Sequence, residues 1–305
     1  MEPATHMLES PERIPTRISE SYDEVAVQVA RRIAAILRAR RASGRGAVLG
    51  LATGSTPIGV YRELIRLHRE EGLDWSHVTT FNLDEYYPMA PDSWHSYHRF
   101  MWENLFTQVN IRRENVHIPR GDVPRDQIEA HARAYERAIV EAGGIDFQIL
   151  GIGQTGHIGF NEPGSSVASR TRLVTLDTIT RRVAAADFFG TENVPSEAIT
   201  MGVATILEAR EIALIATGEH KAGIVKRAVE GDVDPAAAAT YLQRHPNATV
   251  YLDDAAAAEL TRVKTPWLLG EVDWTPSLAI TAVVWLARAT NKSVLVERIA
   301  DVVRP

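Results

Sequence analysis

The chain has 305 residues, enough for one sizeable core, with 45% hydrophobic and 24% charged residues and a formal net charge of −6. An acidic balance without a basic patch argues against a nucleic-acid partner, and the pairs Arg31-Arg32 and Arg40-Arg41 read as the solvated face of a helix. The absence of cysteine removes disulfides, thiolate nucleophiles and cysteine metal ligands, and no apolar run approaches the ~18 residues that cross a bilayer.

Residues 1–20 are polar and proline-punctuated and are expected to form an extended arm. From Tyr22 to Arg41, Val25, Val29, Ile33 and Ile36 recur at spacings of three and four, which predicts an amphipathic helix. AVLGLAT, from Ala47, reads as a short buried strand, broken by Gly54-Ser55-Thr56-Pro57 before a second helix that ends at Gly72. Val78–Leu83 is a strand that runs out into the loop Asp84-Glu85-Tyr86; helices follow at Ser96–Phe106 and Asp126–Ala142, then a strand at Ile145–Ile152. Further on, a strand at Arg172–Leu176 precedes a helix at Thr178–Phe188, and a strand at Ile212–Thr217 precedes a helix at His220–Val229. Thr249–Leu252 and a helix from Asp254 close the series. This alternation predicts an α/β fold with a mostly parallel open sheet and helices on both faces, over residues 21–262. Residues 263–305, with Trp267, Trp274 and Trp285, form a C-terminal helical extension expected to pack on the domain or on a partner subunit.

Ligands of such sheets bind at the carboxyl ends of the strands, and three segments leave a strand there with unusual residues. In A52-T-G-S-T-P57, Gly54 suits a tight turn, Thr56 an N-cap and Pro57 the first helical position. The hydroxyls of Thr53, Ser55 and Thr56 then converge with free amides on the positive end of a helix, which is a phosphate or carboxylate cradle; a plain strand-to-helix turn uses the same residues. In T79-T-F-N-L-D-E-Y-Y87, adjacent Asp84 and Glu85 point in different directions, so one can enter a cleft as a general base while the other is held structurally, or both are solvated. In G151-I-G-Q-T-G-H-I-G-F-N-E-P163, His157 can move protons at neutral pH, with Glu162 near enough to orient it. His95 and His98 have no third ligand at metal-binding spacing, so no metal is expected, and there is no G-x-S-x-G elbow for a serine nucleophile.

Together these stretches, with ITMGVATIL from Ile199 and GEHKA around Lys221, resemble the glucosamine-6-phosphate deaminases of the sugar-phosphate isomerase/deaminase family, over about Ala47 to Leu260. The resemblance implies a Rossmann-like fold and the conversion of glucosamine 6-phosphate and water to fructose 6-phosphate and ammonia, a step in the catabolism of amino sugars and N-acetylglucosamine. It implies no cofactor, a small sugar phosphate as partner, and neither nucleic acid nor membrane. A homo-oligomer in the cytoplasm is expected. It assigns ring opening to His157, supported by Glu162, transfer of a proton from C2 to C1 to Asp84, and phosphate binding to Thr53, Gly54, Ser55, Thr56 and Lys221.

Two positions depart from the family pattern. Where relatives have an aspartate two residues before the histidine, this chain has Thr155, which can hydrogen-bond an imidazole but carries no charge. Where they have a phosphate-gripping arginine before a Phe-Phe pair, it has Asp187, so Arg181 or Arg182 is expected to substitute. Ser165 and Arg172 fall where some relatives bind an N-acetylated sugar-phosphate effector. Two alternatives stay open: an enzyme acting on another phosphorylated sugar, including hydrolysis of 6-phosphogluconolactone, and a non-catalytic sugar-phosphate sensor. The three acid–base groups Asp84, His157 and Glu162 favour an enzyme over a sensor, which has no chemical need for them.

Overall fold

In the computed structural model, which describes residues 11–292, strands and helices alternate as the hydrophobic pattern predicts. The first half runs β1 (Thr16–Ser19), α1 (Tyr22–Ala42), β2 (Ala47–Leu51), α2 (Ile58–Glu71), β3 (Val78–Asn82), β4 (Asp84–Tyr87), α3 (Tyr97–Asn104), β5 (Val116–His117) and α4 (Ile128–Glu141). The second half runs β6 (Phe147–Gly151), β7 (Arg172–Thr175), α5 (Thr178–Ala184), β8 (Glu197–Thr200), α6 (Val203–Leu207), β9 (Ile212–Ala216), α7 (Ala222–Glu230), β10 (Ala248–Asp253) and α8 (Asp254–Ala257).

Seven strands form one parallel sheet in the order β1-β10-β9-β6-β2-β3-β5. β2 and β9 are buried at every position, because helices cover both faces and leave no side of the sheet for polar residues. Gly50 of β2 has a specific role: a Cβ there would meet the Gln148 side chain of β6 at 1.9 Å. Helix α1 shows how the sequence sets one covering layer. Ser21 accepts the Glu24 amide as N-cap, Asp23 and Glu24 face the positive helix end, and Val25, Val29, Ile33 and Leu37 form the buried stripe. From β2 the chain winds outward through β3 to β5, and from β6 it winds the other way through β9 to β10. The strand order therefore reverses between β2 and β6, and the crevice at their carboxyl ends is the topological switch point.

The structure corrects the sequence reading in several places. Asp84-Glu85-Tyr86 is not a loop. It opens β4, which pairs antiparallel with β8, and β8 with β7, in a separate three-stranded sheet. The partners Asp84 and Thr200 stand far apart in sequence, so no local pattern announces the pairing. The helix expected to reach Phe188 stops at Ala184, and β5, β8 and α6 were not anticipated. Within the stretch expected to be an arm, Thr16–Ser19 pair with β10 from Thr16↔Val250 onward.

The chain divides into two compact units, one of them Glu12–Ala258. In the other, which includes Glu259 onward, Thr275 caps α9 (Thr261–Lys264)'s successor α10 (Pro276–Thr290) by accepting the Leu278 amide. Trp267 there contacts both Trp274 and Trp285, each at 6.0 Å between ring centroids. The rest of the expected arm and tail, residues 1–10 and 293–305, lies outside the described residues. No helix among the described residues is long and apolar enough to cross a membrane.

Candidate active site

A cavity of about 280 Å³ opens at the switch point, and the three segments singled out in the sequence converge on it. The loop Thr53–Thr56 leaves β2 with Gly54 at φ 88°, a conformation that favours glycine. Contrary to the expectation from the sequence, Thr56 does not cap α2; the helix begins at Ile58 with no side-chain cap on Pro57. Tyr22 of α1 acts instead. Its hydroxyl accepts the Gly59 N–H at 2.6 Å and lies 3.2 and 3.1 Å from the Ser55 and Thr56 carbonyls. A Cβ at Gly59 would sit 2.8 Å from that hydroxyl, so glycine is required for the contact. The Thr56 side chain is thereby left to the cavity wall.

Lys221 lines the same cavity from the turn after β9. Both Asp253 carboxylate oxygens accept the Gly218 N–H at 3.0 Å and hold that turn. Lys221 Nζ donates to the Ile152 carbonyl at 2.7 Å, and burial lowers the ammonium pKa from its ordinary value. Among the described residues it is the one lysine or arginine lining the cavity.

The adjacent acids separate as strand geometry demands. Asp84 lines the cavity, 6% exposed, and burial together with the neighbouring Glu85 charge pushes its carboxyl up to about 8. Gly159 makes room for it: a Cβ there would lie 3.2 Å from Asp84 Oδ2. Glu85 turns away and seats the start of α3. It accepts the amides of Tyr86 and Tyr97 at 3.0 Å, that of His98 at 2.9 Å and the Ser96 hydroxyl at 3.1 Å. Burial nonetheless raises Glu85 to about 7 against those hydrogen bonds.

His157 lies over Gly153, where a Cβ would stand 2.1 Å from Nε2. Its other nitrogen, Nδ1, has three oxygen neighbours: Thr155 Oγ1 at 2.9 Å, Glu162 Oε2 at 3.2 Å and Thr180 Oγ1 at 3.4 Å. Glu162 Oε2 is shut off from solvent and lies within ion-pair distance of Nδ1 but off the hydrogen-bond direction. Its contribution to the ring is therefore charge rather than a directed bond. Burial pushes the Glu162 carboxyl up, but His157, Thr180 and the Asp177 amide outweigh it and hold the pKa below its ordinary value. Asn161, in the same turn, donates to the carbonyls of Ile158 and Met201 at 2.9 and 2.8 Å and so fixes the segment that carries Glu162.

The expected arginine substitutes do not come together with the site. Helix α5 presents Ile179, Thr180, Val183 and Ala184 to the cavity, with Asp187 just beyond its end. Arg181 and Arg182 lie between those positions on the helix and face away. Arg181 instead donates to the Thr191 and Val194 carbonyls, each at 3.2 Å. Arg172 is outside the cavity as well, bound to Asn161 Oδ1 at 3.0 Å and Ser165 Oγ at 3.2 Å. Sequence reasoning missed Thr180, Tyr86 and Tyr97, which also line the cavity. Thr180 stands 23 residues from His157, and no spacing rule links them. Among the described residues, no three His, Cys, Asp or Glu side chains are grouped to hold a metal.

The model of the family "Glucosamine-6-phosphate isomerases/6-phosphogluconolactonase" matches residues 20–251, which include every element of this cavity. The chain belongs to this family. A glucosamine-6-phosphate deaminase 2 of Giardia intestinalis is 50% identical to it over 245 residues, 80% of this chain and 90% of the relative. A glucosamine-6-phosphate deaminase-like protein of Bacteroides thetaiotaomicron is 44% identical over 284 residues, 93% of this chain, which spans only 43% of that longer relative. A solved structure of a monomeric glucosamine-6-phosphate deaminase superimposes with a TM-score of 0.77 at 40% identity, covering 81% of this chain and all of that one (100%).

Proposed function

We propose that the chain catalyses the isomerising deamination of glucosamine 6-phosphate to fructose 6-phosphate and ammonia. The observation that carries this reading is the layout of one cavity: a buried, proton-holding Asp84 and a carboxylate-backed His157 share it with the Thr53–Thr56 loop and Lys221. The loop and Lys221 bind the phosphate, and that anchoring energy positions the reacting carbons at the far end.

With the Glu162 charge and Thr155 Oγ1 at Nδ1, the neutral imidazole carries its proton there, and Nε2 is the free base. Nε2 takes the proton of the anomeric hydroxyl and returns it to the ring oxygen, which opens the ring. Glu162 stabilises the imidazolium formed between these transfers. Asp84 removes the C2 proton to give an enolamine and delivers it to C1. The resulting C2 iminium adds water and expels ammonia, so the carbon skeleton is isomerised while the overall balance is a hydrolytic deamination. An acid with a pKa near neutral is suited to both halves of the C2-to-C1 transfer.

An ammonia-release assay over a panel of 6-phosphorylated amino sugars tests the proposal. Turnover of glucosamine 6-phosphate with stoichiometric fructose 6-phosphate is expected; hydrolysis of 6-phosphogluconolactone without ammonia release from any amino sugar would overturn it. Light scattering after size-exclusion chromatography tests the homo-oligomer expected for the chain.

A further inference from the structure

A second cavity, of about 390 Å³, lies behind the acid strand, between α3, β5 and α4. Its volume falls within the ~300–1,000 Å³ typical of small-molecule sites. Its lining is chemically one-sided. Arg113, Arg120, His98, His117 and His131 face it, and no aspartate or glutamate does. Trp102 supplies an aromatic wall, with the Arg113 guanidinium stacked 4.5 Å from its ring centroid. Arg120 is engaged by Asp122, but Arg113 forms no ion pair among the described residues.

The histidines are arranged to offer polar edges rather than fixed charge. His117 stacks one ring face on Phe81, with centroids 4.5 Å apart and 9° between planes, and among the described residues neither of its ring nitrogens takes a hydrogen bond. His131 Nε2 accepts the Arg120 amide at 3.1 Å, which places its proton on Nδ1 as a donor. His98 Nδ1 lies 3.2 Å from the Pro91 carbonyl and donates to it, which leaves Nε2 as an acceptor. Burial lowers the pKa of both His117 and His131, with the nearby Arg120 charge adding to the effect on His131.

A guanidinium stacked on a tryptophan and free of ion pairs, beside several imidazole edges in a lining that holds no carboxylate, selects a flat ring that carries an acidic group. We propose that this cavity is a second binding site, distinct from the sugar-phosphate cavity, for a small aromatic anion of the nucleoside monophosphate type: the base against the aromatic walls and the phosphate on Arg113. The inference does not depend on the reaction proposed above. A ligand held here is close to the catalytic strand. Tyr135, in the cavity wall, donates to the Asn82 carbonyl at 2.7 Å, two residues before Asp84.

Isothermal titration calorimetry with adenosine 5′-monophosphate, adenosine and ribose 5-phosphate tests the site. The nucleotide is expected to bind at least tenfold more tightly than either fragment, because only it engages both the ring walls and Arg113. Arg113→Ala is expected to weaken nucleotide binding at least tenfold with ammonia release unchanged, and Arg113→Lys to restore part of it. Lys221→Ala, which alters the other cavity, is expected to leave nucleotide affinity within twofold of the parent. The proposal is overturned if the nucleotide shows no binding at millimolar concentration, or if ribose 5-phosphate binds as tightly as the nucleotide. It is equally overturned if Lys221→Ala abolishes the binding while Arg113→Ala does not.

Discussion

Glu162 Oε2 stands 3.2 Å from His157 Nδ1, the nitrogen that also meets the Thr155 hydroxyl at 2.9 Å. The two neighbours divide what a single aspartate at position 155 would supply: Thr155 offers a directed hydrogen bond and Glu162 offers the negative charge. A second carboxylate at position 155 would face Glu162 across the imidazole, and like charges at one nitrogen repel. Thr155→Asp is therefore expected to leave kcat unchanged or lower it. Glu162→Gln, which removes the charge, is expected to lower kcat by about 10²-fold or more, roughly 2.7 kcal/mol of barrier. Steady-state ammonia release on the two folded variants measures both, and a clear gain in kcat for Thr155→Asp would show that the charge at His157 is not already provided.

Asp84→Asn is expected to abolish turnover, with a loss of at least about 10³-fold in kcat and little change in KM, since it removes a proton carrier and no phosphate contact. The same substitution should stabilise the fold at alkaline pH. The native Asp84 carboxyl holds its proton to about 8, whereas in the unfolded chain it releases it near ~3.9. The native state thus binds the extra proton between those values, and wild-type stability falls as pH rises through that window. The variant escapes this loss, and its advantage should grow from near zero at pH 4 to on the order of 5 kcal/mol at pH 9. Urea denaturation at a series of pH values reads it directly. An advantage that does not vary with pH would mean that Asp84 is not protonated in the folded protein.

In the proposed reaction Asp84 acts as a base and must be ionised, so kcat/KM should fall about tenfold per pH unit below the Asp84 pKa of about 8. The Glu85 charge contributes to that raised value, so Glu85→Gln should shift this limb to lower pH. A limb set by the substrate's own amine would not move, which makes the variant the decisive comparison. Glu85→Gln also replaces an acceptor with an amide group at the seat of α3, and a loss of about 1–3 kcal/mol in folding stability is expected from thermal or urea unfolding.

Lys221→Ala should raise KM about 10- to 100-fold with a smaller effect on kcat, because a phosphate anchor acts before the transition state. Unphosphorylated glucosamine should be a correspondingly poor substrate for the parent enzyme. Equal activity on glucosamine and its 6-phosphate would remove the cavity's anchoring role.

The parallel sheet and its site loops were legible in the sequence because they rest on local physics. AVLGL and IALIA are continuous apolar runs that only a doubly covered sheet can bury, and Gly54 and His157 sit in short glycine-rich turns. The sequence, which placed Asp84 and Glu85 in a loop, left open whether one acid enters a cleft or both are solvated; it is the unforeseen strand β4 whose alternation sends them to opposite sides. Which acid faces the cavity was decided by β8, whose Thr200 pairs with Asp84 from 116 positions along the chain, beyond the reach of any periodicity. Tertiary packing likewise brought Thr180 to His157, put Tyr22 rather than Thr56 at the start of α2, and turned Arg181 toward the carbonyls of Thr191 and Val194. Residue types and short spacings fixed which groups were available for chemistry; only long-range pairing, where the chain folds back on itself, set which of their atoms face one another.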